Sequence, residues 1–350
     1  MFGEFTPAGW AQGRRKAQCK PVKRIRGPRD RGSHWKLRGL YTGWRTSVNP
    51  RPAWYNRYMA PLRISAISFL NTAPLMWDFE HGETATQLSE FFDIGYTVPS
   101  RCAEELKTGL ADIGIIPAAT YTTIPGLVII PDIAIASKNA VRSILLISKV
   151  PLEKIRSVAT DDSSRTSAAL VEIFLRKFVG VNPGFRRQKA VLQEMLQWHD
   201  AALLIGDPAL LARTEGYYVY DLAEQWRRWT GRPFVFAFWA VRKSSLAGLS
   251  PEIDLSRIFQ QSRKNGLQHL EEIVTDWSRR LNLPAPLIRE YLTQNIDFSL
   301  DRENVEGLQL FYRYAAEYKV LPQAPELRFL EAAQTVVKPA AAATAPVQNS

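Results

Sequence analysis

The chain has 350 residues, 46% of them apolar, which is enough for two domains and a sizeable core. A net charge of +11 points at first to nucleic acid, but the charge sits at one end. Residues 1–58 hold 14 Lys/Arg against 2 Asp/Glu, whereas the rest of the chain holds 31 against 32, so nucleic acid is not an expected partner of the folded body.

The basic stretch carries no sustained apolar period and many Gly, Pro and Arg residues. It lacks the run of 7–15 apolar residues that a secretory signal needs, and its prolines suit an amphipathic transit helix poorly. Met59 stands directly before the first patterned strand. Residues 1–58 are therefore expected to be a disordered extension or the product of a mis-assigned start, and the Ala/Pro-rich residues 331–350 a disordered tail. Cys19 and Cys102 imply neither a disulfide framework nor a zinc site. No apolar run reaches the ~18 residues of a membrane span, and the body reads as soluble and cytoplasmic.

From Leu62 short apolar strands alternate with helices. Ile64 to Phe69 reads as a strand, and Leu70 to Leu75 as a turn into a helix with Pro74 in its first turn. Asp93 to Val98 is a second strand. A helix follows with Ser100 as its cap and Gly109 as its stop. Asp112 to Ile116, Leu127 to Ile130 and Ser143 to Ser148 complete a first set of strands. Val158 to Thr160 begins a second set, followed by a helix over 165–179, a strand at Ala201 to Ile205 and the apolar run Phe234 to Val241. In that run Phe234, Phe236 and Phe238 share one face and Val235, Ala237 and Trp239 the other. Beyond Pro251 the pattern is helical. Leu267, Leu270, Ile273, Val274, Trp277 and Leu281 form one face, and Val305, Leu308, Phe311, Tyr312 and Ala315 another.

This alternation predicts an α/β fold with parallel sheets in two lobes. Lobe 1 is expected to be 62–147 plus 242–330 and lobe 2 to be 148–241, with crossings near Leu146 to Lys149 and near Phe238 to Lys243. Ligands in such folds bind at the carboxyl ends of strands and between domains. Three polar stretches lie at strand ends: Ser68 to Thr72, Ser163 to Ser167, and Gly206-Asp207.

The richest of these is Asp161-Asp162-Ser163-Ser164-Arg165-Thr166-Ser167, ahead of apolar residues at Leu170, Val171, Phe174, Leu175 and Phe178. Hydroxyls can cap such a helix, and its free N–H groups attract carboxylate or phosphate. Taken alone, a capped surface helix is the commoner meaning of the pattern. Nucleotide-binding, esterase and zinc-protease motifs are absent. His34, His81, His199 and His269 are isolated, so no metal is expected. Asn71 by itself is most often a turn residue or cap, and Asp207 a capping carboxylate.

Four segments in order carry a family resemblance: Ser68-Phe69-Leu70-Asn71-Thr72-Ala73-Pro74-Leu75, Ser163 to Ser167, Leu204-Ile205-Gly206-Asp207-Pro208-Ala209-Leu210, and Trp229 to Ala237. Over about Leu62 to Leu330 the chain resembles the chorismate dehydratases of the futalosine route to menaquinone. The resemblance implies a two-lobe fold similar to type II periplasmic binding proteins, used by a cofactor-free lyase whose small-molecule substrate is chorismate. It implies Asn71 as the catalytic candidate, Ser143, Thr166 and Ser167 as holders of substrate carboxylate, and Gly206 and Asp207 as cleft lining from lobe 2; the helix-start pattern adds Ser164 and Arg165 as substrate-binding candidates. Arg232 stands where the family often has leucine. Three other readings stay open: the sister dihydroxynaphthoate synthase, which uses a catalytic histidine that cannot be placed in this sequence, a solute-binding protein of a transporter, and nucleic-acid binding through residues 1–58. Oligomeric state is not legible.

Overall fold

The computed structural model describes residues 61–247, 249 and 253–331, and the expectations for 1–58 and for the tail beyond Glu331 lie outside them. The first sheet runs in the order β2-β1-β3-β10-β4. Its strands are β1 (Leu62–Ile67), β2 (Phe92–Thr97), β3 (Ile113–Pro117), β4 (Leu127–Ser137) and β10 (Phe234–Arg242). β1 pairs in parallel with β2 and β3, while β10 runs antiparallel to β3 and β4. The second sheet runs β7-β6-β8-β5-β9, with β5 (Ile144–Ser148), β6 (Ser157–Asp161), β7 (Gly184–Gln188), β8 (Ala201–Ile205) and β9 (Tyr218–Asp221). Here β6 is parallel to β7 and β8, and β5 is antiparallel to β8 and β9. The sheets are thus mixed, and one topology is used twice.

Both antiparallel strands correct the expected lobe boundaries. β5 pairs residue by residue with β8, from Ile144 opposite Ile205 to Ser148 opposite Ala201, and so belongs to the second sheet. β10 pairs with β3 and β4 and belongs to the first. The chain therefore crosses before each of these strands, between Ser137 and Ile144 and again around Gly231 to Pro233, not within or after them. An apolar run says that a strand is buried but not which sheet supplies its partners.

β10 is buried on both faces, and its two faces meet different aromatic neighbours. Phe234 packs against Trp226 and Phe311 at centroid distances of 5.3 and 5.1 Å, while Trp239 packs against Phe259 at 4.8 Å. The helix Arg302–Glu317 buries Leu308, Phe311, Tyr312 and Ala315, as its period requires. In the helices before it Ile273 and Val274 are buried, but Leu267 is exposed and faces solvent instead of the core. The far edge of β4 is covered by Arg328 to Leu330, where Ile129 N donates to Arg328 O and Leu330 N donates to Ile129 O. No described helix is long and apolar enough to cross a membrane.

The helix Leu255–Gln268 fixes the segment after β1. Ser262 Oγ donates to Leu75 O (2.9 Å) and accepts from Asp78 N (3.0 Å). Gly266 lies so close that a Cβ there would be 2.0 Å from Pro74 O. Only glycine permits that approach.

Candidate active site

The segment after β1 is a 3-10 helix, Leu70–Met76, with Phe69 at its N-cap. Asn71 lies in its first turn and is neither a cap nor an exposed turn residue: it is 8% exposed. Its Oδ1 accepts a long bond from Thr72 Oγ1 (3.4 Å), and its side chain lies beside the Tyr291 phenol. Ser143, the last residue before β5, is fully buried, and its Oγ accepts from the Tyr291 hydroxyl at 2.9 Å. Gly206 N donates to Ser143 O at 2.8 Å, which ties the end of β8 to the start of β5.

Gly206 has φ +59°, and a Cβ there would be 2.4 Å from the Phe69 ring of the other lobe. Backbone conformation and contact both call for glycine. Next to it Asp207 accepts from Leu70 N at 3.0 Å, so a lobe 2 carboxylate sits on the first N–H of the lobe 1 3-10 helix. Burial raises the Asp207 pKa to about 6, offset in part by that one bond.

The stretch Asp161 to Ser167 is organised differently from a hydroxyl-capped helix. The N-cap of the helix Thr166–Ile173 is Arg165, with no side-chain cap bond, and the helix continues as a π turn over Phe174–Val179. Ser163 donates through both N and Oγ to Asp161 Oδ1 (2.9 and 2.7 Å). Thr166 Oγ1 accepts from Ala119 N (3.1 Å) and donates to Phe236 O (3.0 Å), both in lobe 1. Its hydroxyl is therefore spent on joining the lobes. Ser164 Oγ and Asp161 Oδ2 are buried without a hydrogen-bond partner among the described residues. Ser167 is 3% exposed. Buried unpaired polar atoms cost on the order of 1–3 kcal/mol each, a cost that a ligand can relieve.

Arg165 lies in a groove that neither Asn71 nor Ser143 lines. That groove, of about 490 Å³, is shared with Arg187, Lys107 and Glu104. Burial, and then the charge of Arg187, lower its pKa. Of this stretch Ser164 Oγ keeps unused bonding capacity, whereas the guanidinium lies in the groove. Arg232 pairs with Glu306 at 2.6 Å on the surface and has no contact with the cleft residues.

The other sequence candidates are structural. Trp77 is stacked between His81 and His269, at 3.9 and 4.6 Å, and His199 Nδ1 bonds Met195 O. Cys102 is fully buried and burial pushes its thiol up to about 12, which leaves it inert. Among the described residues no group of three or more His, Cys, Asp and Glu side chains could hold a metal ion. The residue that sequence reasoning missed is Tyr291. Within a helical apolar pattern a tyrosine reads as core, and only its partner identifies it.

Ser143, Gly206 and Asp207 of lobe 2 thus face Phe69, Leu70 and Asn71 of lobe 1, with Tyr291 behind. The profile of the menaquinone biosynthesis family matches residues 62–317. Chorismate dehydratase from Thermus thermophilus is 30% identical over 254 residues, covering 67% of this chain and 90% of that protein. Among solved structures, a protein from Archaeoglobus fulgidus superposes with a TM-score of 0.61 at 13% identity, covering 75% of this chain and 98% of that one. The periplasmic aliphatic sulphonate binding protein SsuA from Escherichia coli gives 0.56 at 16% identity, covering 83% and 98%. These likenesses give the fold, a two-lobe arrangement of the periplasmic-binding-protein kind. The match over residues 62–317 shows that the chain belongs to the menaquinone biosynthesis family.

Proposed function

We propose that this chain is a chorismate dehydratase, a carbon–oxygen lyase that removes water from chorismate to give 3-[(1-carboxyvinyl)oxy]benzoate. The observation that carries the reading is the 30% identity with the Thermus enzyme over 254 residues. The convergence of Asn71, Ser143, Gly206 and Asp207 supports it.

The reaction breaks a C–H bond at ring carbon 3 and the C–O bond at carbon 4. The electron pair left by the proton forms the new ring double bond, and hydroxide departs with the proton as water. Because the product ring is aromatic, the elimination is strongly downhill. Orientation and a few hydrogen bonds are then a large part of what catalysis requires. Asn71, neutral and able both to donate and to accept, hydrogen-bonds the departing hydroxyl. Ser143, Ser164 and Ser167 supply donors for the two substrate carboxylates, and the unpaired Ser164 hydroxyl suits that task. One substrate carboxylate, held beside carbon 3, assists proton removal.

The sister synthase reading needs a histidine in the cleft. Among the described residues His81 and His269 stack on Trp77 and His199 Nδ1 bonds Met195 O, and none of the three bonds Asn71, Ser143 or Asp207, which favours the dehydratase.

The test is direct. Full-length protein is incubated with chorismate, and formation of the aromatic enolpyruvyl ether is followed by absorbance and mass. Wild type is expected to form it, and Asn71→Ala to lose at least about a hundredfold in kcat, since it removes a contact to the reacting centre. Folded wild-type protein that leaves chorismate unchanged sinks the reading, and full turnover by the variant sinks the role given to Asn71.

A further inference from the structure

One short stretch of helix grips the first crossing segment. Asn295 Nδ2 donates to Ala140 O (3.0 Å), Arg142 pairs with Glu290 (2.7 Å), and the Tyr291 hydroxyl donates to Ser143 Oγ (2.9 Å). The gripping residues span a junction at which the α-helix Ala285–Glu290 widens into a π turn, Tyr291–Asn295. Single π turns recur at functional sites, and this one buries both Tyr291 and Asn295. The segment is held in a conformation it would not choose. Arg142, next to Ser143, has φ +59°, a left-handed value that a non-glycine residue rarely adopts.

The consequence falls on the Ser143 hydroxyl. A serine oxygen can accept bonds but carries one proton to donate. Tyr291 occupies an accepting position, and Ser143 Oγ has no acceptor of its own among the described residues. We propose that Tyr291 is a positioning residue for the dehydration, donating to the Ser143 oxygen so that the Ser143 proton is presented to a substrate carboxylate in the cleft. This rests on the chorismate dehydratase reading. Tyr291 is fully buried, and burial raises its pKa above the usual phenol value, so the ring stays protonated and remains a donor. A donor bonded to a donor polarises it, so the second hydroxyl becomes better suited to an anion. Asn71 lies beside the same phenol, which places the binding hydroxyl and the residue nearest the chemistry around one fixed point.

The experiment is a double-mutant cycle on the full-length protein with chorismate: wild type, Tyr291→Phe, Ser143→Ala and the double variant, each checked by melting temperature. Removing the phenol oxygen is expected to lower kcat/KM about tenfold, chiefly through KM, as for one lost bond to a charged group. The double variant is expected to be no worse than Ser143→Ala alone, because Tyr291 acts through Ser143. A merely structural role for Tyr291 would lower the melting temperature and make the two losses multiply. Multiplied losses, or a Tyr291→Phe enzyme within twofold of wild type, overturn the proposal. Should Tyr291→Phe not fold, Ser143→Ala alone decides: activity within twofold of wild type overturns the proposal and a tenfold rise in KM supports it. A wild type inactive on chorismate removes the dehydratase reading and this inference with it, whereas an active wild type with an unaffected variant removes this inference alone.

Discussion

Asp207 brings the cost of a closed cleft down to a single carboxyl group. Burial raises its pKa from 3.8 to about 6, and its bond from Leu70 N offsets only part of that shift. A carboxyl group with a folded pKa above its unfolded one contributes stability that is complete below about pH 4. The contribution is lost as the pH rises through about 6. Two pKa units correspond to roughly 3 kcal/mol, an upper figure because the group keeps some contact with water. Asp207→Asn keeps an oxygen for Leu70 N and cannot ionise. The variant is expected to melt above wild type near neutral pH and level with it near pH 4, as read by calorimetry. An equal difference at both pH values would mean that Asp207 does not carry a buried charge. At this scale the sequence was informative where a residue type is rare for its place. Gly206 and Asp207 lie at a strand end, and both meet the Phe69 to Asn71 segment of the other lobe. Thr166 and Arg165 were equally conspicuous, but one ties the lobes and the other faces a side groove. Rotamer and lobe contact decide that difference, and neither is written in a heptapeptide.

At the scale of elements, the helix Leu255–Gln268 is the template on which the Asn71 segment is laid. Gly266 touches the Pro74 carbonyl, and Ser262 and Asn265 bond Leu75, Asp78 or both. Gly→Ala inside a helix ordinarily stabilises by about 1 kcal/mol. Here the sign reverses, because a methyl group 2.0 Å from a carbonyl oxygen must push the helix off the 3-10 turn. Gly266→Ala is expected to destabilise by about 1–3 kcal/mol in denaturant titration and to weaken turnover by displacing Asn71. A variant as stable as wild type would show that the close contact does not exist. The strands were legible as elements because their apolar runs are short and bounded by turn residues. Their partners were not. β5 and β10 looked like the last strands of the lobes they leave, and they are the first strands of the lobes they enter.

For the whole molecule, that correction makes lobe 2 an uninterrupted insertion between β4 and β10. The order β2-β1-β3-β10-β4 then has a consequence in time. β4 has no bonded neighbour among the earlier strands, because β10 lies between it and β3. On the ribosome, residues 138–233 must emerge before β10 can fill that gap, which at about 5–20 residues per second is a wait of roughly 5–20 s. Throughout it the apolar strand Leu127–Ser137 has an unpaired edge that invites chaperones or misassembly. All five strands of the β5 to β9 sheet precede β10, so that sheet can pair first. In ribosome-stalled chains long enough for Pro233 to have just left the exit tunnel, protease should spare residues 144–230 and cut within 62–137. Protection in the opposite order would refute this. The middle of the sequence is thus expected to mature before its beginning, and the cleft comes into being only when the last third of the chain returns to complete the first.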